Sequence, residues 1–152
     1  MPRLIFLILL AGSLVSCGGS SSTAPTPLNV PFSTTDLIVG TGPTVTVGTL
    51  VEFTYVGYLY SATAANHEGN EFDDSSLSGP QVIVVGAGSV IKGLDQGLVG
   101  MKVGGRRQII IPPDLAYGSS ASPQIPANST LLFIVDLEQA QTPTPARQST
   151  PR

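Results

Sequence analysis

One stretch of this chain has helical spacing, and the apolar runs around it have the character of strands. In Ser89-Val90-Ile91-Lys92-Gly93-Leu94-Asp95-Gln96-Gly97-Leu98-Val99 the apolar positions 90, 91, 94 and 98 fall on one helical face, with Ser89 placed to cap the first turn. Gly93 and Gly97 each cost about 1 kcal/mol relative to alanine inside a helix, which predicts a face lying close against a sheet. Leu37-Ile38-Val39, Thr49 to Tyr60, Val82 to Val85, Gly104 to Ile111 and Thr130 to Glu138 are instead short runs rich in β-branched or other apolar residues. Turn residues such as Gly40-Thr41-Gly42-Pro43 end the first of them. Leu59 to Glu71 is interrupted by Ala, Asn, His and Gly, and is predicted as an irregular flap before Phe72-Asp73. Five or six strands with one short helix specify an α+β domain, a single helix packed on an antiparallel sheet.

Composition limits the size of that domain and its chemistry. The chain has 152 residues, and its low-complexity ends leave about a hundred for one core. A formal charge of -3, with no basic run longer than Arg106-Arg107, gives no footprint for a phosphate backbone and argues against nucleic acid as a partner. His67 is the only histidine, and no second His or Cys accompanies it to complete a zinc site or a serine-type triad. Asp73-Asp74 lacks a third ligand at calcium spacing. Gly86-Ala87-Gly88-Ser89 follows a strand and opens a helix, but it lacks the third glycine and the parallel βαβ unit of a dinucleotide loop. No metal or cofactor is expected, and hydrolysis is not supported.

Both ends differ from the middle. Residues 1–16 combine Arg3 with an apolar run from Leu4 that continues to Val15, shorter than the roughly 20 residues of a membrane span, and are expected to be a signal peptide. Leu14-Val15-Ser16-Cys17 resembles the bacterial lipobox, which implies that Cys17 is lipidated and becomes the new N-terminus. The protein is then expected in the cell envelope, lipid-anchored outside the cytoplasm. In a Gram-negative cell, Gly18-Gly19 in place of an Asp would favour the periplasmic face of the outer membrane. Residues 17–35 are Gly-, Ser-, Thr- and Pro-rich, a flexible linker spanning about 20–25 Å root mean square. Residues 139–152 have the composition of a disordered tail, which leaves 36–138 as the domain.

Five motifs within that domain resemble, in order and spacing, the FKBP-type peptidyl-prolyl cis-trans isomerases. They are Phe53-Thr54-Tyr55-Val56-Gly57, Phe72-Asp73-Asp74-Ser75-Ser76, Val90-Ile91-Lys92-Gly93-Leu94, Pro113-Asp114-Leu115-Ala116-Tyr117-Gly118, and Ile125-Pro126 through Thr130-Leu131-Leu132-Phe133. The resemblance implies a half-barrel, a twisted antiparallel sheet of five to six strands wrapped round one short helix, with an apolar pocket between them. Tyr55, Asp73 and Tyr117 would carry catalysis, while Phe72, Val90, Ile91, Leu94, Ile125 and Phe133 would bind substrate. In that scheme Tyr117 and the Ile91 N–H hold substrate carbonyls, and Asp73 orients the pocket through Tyr55.

The implied activity is rotation about X-Pro bonds in exported polypeptides, performed by a monomer whose partners are proline-containing clients and, through Cys17, a membrane. A binding module that holds extended chain without catalysis, and a scaffold with a borrowed fold, are the alternatives. Several positions depart from the family pattern. Leu94 stands where many relatives place Trp or Phe, Gln81 where an aromatic is frequent, and Ser122 where His is common. The loop from Gly118 to Pro126 looks one residue short, and the flap near Ala62 to Gly69 looks long. Loss of an aromatic at 94 implies macrolide affinity weaker by about tenfold, from roughly 25 cal/mol per Å² of lost apolar contact.

Overall fold

The computed structural model describes residues 30–142, so the proposed signal peptide, Cys17, most of the linker and residues 143–152 of the expected tail lie outside the described residues. The elements run β1 (Ser33–Ile38), β2 (Leu50–Tyr60), β3 (Glu68–Asp74), β4 (Gln81–Val84), α1 (Lys92–Leu98), β5 (Arg106–Ile111) and β6 (Leu131–Gln141). All six strands pair antiparallel in the order β1-β5-β6-β2-β3, with β4 joining the first half of β2. The expected α+β half-barrel with one short helix is the observed fold.

Alternation builds its core. Val51 and Phe53 of β2, Ile109 and Ile111 of β5, and Leu131, Phe133, Val135 and Leu137 of β6 are buried on the concave face. Leu94 and Leu98 of α1 join them. The two helical glycines explain the close approach: a Cβ at Gly97 would stand 2.6 Å from Ile109 Cδ1, and one at Gly93 would overlap Ile111.

Inside this core sits one cation. Arg107 faces inward from β5, only 8 % exposed, and its Nε donates to Asp36 Oδ1 of β1 at 2.6 Å. Its Nη1 donates to the carbonyls of Gly97 (2.8 Å) and Val99 (2.9 Å), satisfying acceptors that the end of α1 leaves open. The guanidinium therefore ties an edge strand, a central strand and the helix together.

Four expected boundaries are corrected. Ser89 does not cap α1: the helix begins at Lys92 after an extended Ile91 (φ -58°, ψ 146°), and no side chain caps it. Ser33–Thr35, expected as linker, form the start of β1 against Ile110, Ile109 and Gln108. Their exposed polar side chains on an edge strand have the composition of a linker although the backbone is paired. Glu68 to Glu71, expected as irregular flap, belong to β3, whose exposed edge position needs no apolar alternation. Gln139–Gln141, expected as tail, extend β6 against Glu52, Val51 and Leu50. Among the described residues no helix is long and apolar enough to cross a membrane.

Candidate active site

Three aromatic rings meet at one end of the concave face. Tyr55 and Phe133 lie on neighbouring strands with ring centroids 5.5 Å apart, and Phe72 of β3 meets Phe133 edge-on at 5.6 Å. Gly57 makes room for them, since a Cβ there would stand 2.7 Å from Phe72 Cζ and 3.3 Å from Phe133 Cε1.

An irregularity in β3 supplies the polar half of the site. The register passes from Gly57↔Asp73 to Tyr58↔Glu71, leaving Phe72 as an extra residue on its strand. Such a bulge re-aims side chains that strict alternation would send to opposite faces. Consecutive residues thus both reach Tyr55 and its neighbours: the Phe72 ring packs on Phe133, and Asp73 Oδ2 accepts the Tyr55 hydroxyl proton at 2.5 Å. Burial above all, then the hydrogen bond and charge of Asp73, with smaller contributions from Tyr117 and Asp74, push the Tyr55 phenol well above its ordinary range.

The helix start and the β5–β6 loop close the cleft. Val90 and Ile91 pack half-buried against the core cluster that contains Leu94, Ile125 and Phe133. Because Ile91 precedes the helix, its N–H is not engaged by a backbone carbonyl among the described residues. Gly118, with φ +58°, donates to the Pro113 carbonyl at 2.8 Å, and the Asn128 N–H donates back to Gly118 at 2.7 Å, fixing the loop that carries Tyr117. Tyr117 is 48 % exposed and borders a cavity of about 220 Å³ together with Ser120, Ala121, Ser122 and Ile125.

Eight of the nine expected site residues therefore fall in or beside one apolar cluster, with Tyr117 on the adjoining loop. Leu94, Phe133 and Ile125 are the most enclosed, at 3 %, 4 % and 9 % exposure, and serve the core as much as the cleft. Sequence reasoning missed the bulge at Phe72 and the requirement for Gly57; only the pairing register reveals the first. The glycine-rich turn is filled from within, since the Asp95 carboxylate accepts the N–H groups of Gly86 (2.7 Å) and Gly88 (3.2 Å). His67 stacks on Tyr60 at 5.0 Å, away from this cluster.

A small half-barrel with one helix, an aromatic cleft and tyrosyl hydroxyls at its rim defines the class, and comparison with known proteins gives the family. Residues 42–138 match the family of FKBP-type peptidyl-prolyl cis-trans isomerases. The chain is 48 % identical over 102 residues to FK506-binding protein 4 of Chaetomium thermophilum, covering 67 % of this chain and 20 % of that one. It is 42 % identical over 102 residues to FK506-binding protein 1 of Aspergillus oryzae, covering 64 % and 88 % respectively. Among solved structures, FkpA from Escherichia coli superposes with a TM-score of 0.61 at 32 % identity, covering 74 % of this chain and 49 % of that one. AtFKBP13 also gives 0.61, at 36 % identity, covering 72 % and 93 %. This chain belongs to the FKBP-type peptidyl-prolyl cis-trans isomerase family. It matches about a fifth of the length of the fungal FK506-binding protein 4.

Proposed function

We propose that this protein accelerates rotation about X-Pro bonds in exported polypeptides by binding the twisted amide in the Tyr55–Phe72–Phe133 cleft. Amide resonance opposes this rotation with a barrier of about 18–20 kcal/mol, so the uncatalysed step takes roughly tens to hundreds of seconds. No bond is made or broken, and a site that favours the twisted over the planar amide is sufficient.

The observation that carries the proposal is the aromatic cluster with a carboxylate bound to its central phenol. A proline ring packed on Phe133 and Tyr55 leaves water behind, and an apolar surround disfavours the charge-separated resonance form that keeps the amide planar. Tyr117 and the Ile91 N–H hold carbonyls on either side of the bond while it turns. Asp73 accepts a hydrogen bond from the Tyr55 hydroxyl, fixes the phenol and keeps a negative charge beside the twisting carbonyl carbon. The relatives named for FK506 suggest that macrolides enter the same cleft, with affinity lowered here by Leu94 and Ser122. The domain acts as a monomer, held to a membrane of the cell envelope by lipid on Cys17.

The test is cis-to-trans conversion of proline peptides by the wild type, Asp73→Leu and Phe133→Ala. Catalysis is expected with apolar residues before proline, falling by about tenfold or more in each variant. A wild-type rate equal to the uncatalysed one, with peptide still bound, would leave only a binding module.

A further inference from the structure

Ser75 is one of the few buried polar side chains among the described residues, with 0 % exposure, and lies just beyond the end of β3. Its hydroxyl accepts the Tyr55 N–H at 2.7 Å and donates to the Tyr55 carbonyl at 3.1 Å. Its own N–H donates to that same carbonyl at 3.0 Å. These contacts sit at a gap in the sheet. β3 pairs with β2 as far as Val56↔Asp74, while β4 takes over only at Phe53↔Gln81. Tyr55 falls between the two strands, and Ser75 satisfies both of its main-chain groups where neither β3 nor β4 does, the N–H through its hydroxyl and the carbonyl through its own N–H and hydroxyl together.

We propose that Ser75 is a positioning residue for isomerisation, acting through Tyr55 on the isomerase function proposed above. Ser75 and Asp73 are two residues apart on one segment, and each grips Tyr55, one by its backbone and the other by its hydroxyl. Tyr55 is thereby held at both its backbone and its hydroxyl, with its ring 5.5 Å from that of Phe133 and tilted 59° to it. Without the serine hydroxyl the Tyr55 N–H loses its partner and the backbone is free to shift. A displacement of about 1 Å in a positioned group is enough to cost up to 10²-fold in rate.

A double-mutant cycle of Ser75→Ala with Tyr55→Phe tests this in the full chain. Ser75→Ala is expected to lower kcat per folded molecule about tenfold with KM within about twofold, and to cost less than about twofold more once Tyr55 is Phe. Ser75→Cys, which keeps the shape but is a poor hydrogen-bonding group, is measured alongside and is expected to lose kcat in the same sense. Thr49→Ala removes another buried hydroxyl, bonded to Thr46 in the turn just before β2, and is expected to lower stability with kcat unchanged. Wild-type kcat in either Ser75 variant, or an equal loss in the Tyr55→Phe background, overturns the proposal. The Tyr55 ring resonances report positioning without catalysis. They should move in both Ser75 variants even where the wild type proves inactive, an outcome that would sink the isomerase function instead, and unmoved resonances overturn the positioning role.

Discussion

Tyr55 holds its proton for reasons that also set a pH limit on the fold. Burial and the Asp73 carboxylate raise the phenol's pKa in the native state, while in the unfolded chain tyrosine titrates near about 10. The folded form therefore binds this proton more tightly, and the stability it contributes is intact below about pH 10 and lost as pH rises from there toward the native value. Urea denaturation between pH 8 and 12 should show stability falling above about 10, with a shallower fall in Tyr55→Phe. The slope should not vanish in that variant, because burial raises Tyr58 as well. Identical slopes in the two proteins would mean that Tyr55 is not held as described. At this scale much was legible from sequence: Tyr55, Phe72, Asp73 and Phe133 sit in motifs, and they meet in space. Gly57, Ser75 and Arg107 were not, because their roles depend on which atoms the register brings opposite them, and a one-residue bulge leaves no mark in composition.

Among the elements, the contact between α1 and β5 depends most on single residues. Gly97 lets the helix backbone rest on Ile109, and a Cβ there would come within 2.6 Å of Cδ1 and 2.7 Å of Cγ2 of that side chain. Ile109 is fully buried, so it has little room to give. Gly97→Ala gains up to about 1 kcal/mol in helix propensity but forces overpacking, and the net expectation is a loss of about 1–2 kcal/mol in urea denaturation. Equal or greater stability would show that the helix is free to lift. The glycine pair announced this contact in the sequence, and the helix was placed correctly in all but its first turn. Ser89 misled because a capping residue was present two positions before the N-cap position that Ile91 holds, where Val90 and Ile91 leave the helix to face the core. Edge strands were harder to read, since Ser33–Thr35 and Glu68–Glu71 bury little and so carry no apolar period.

At the scale of the whole molecule, two ends of unlike composition flank the domain, and the sheet takes in Ser33–Thr35 from one and Gln139–Gln141 from the other. The Cys17 proposal predicts that, in a bacterial host, the full chain incorporates labelled fatty acid and partitions into detergent, and that Cys17→Ala does neither while turning over soluble peptides at the same rate. Label in the Cys17→Ala protein would place any lipid elsewhere. The domain's own claim is narrower: the cleft stabilises the twisted amide over both planar forms. Exchange spectroscopy on a proline peptide at equilibrium reads this most directly, because it follows interconversion itself. The cis-trans exchange rate should rise in proportion to added protein while the cis:trans ratio stays fixed. Peptide resonances that shift on binding while exchange continues at the uncatalysed rate would contradict it.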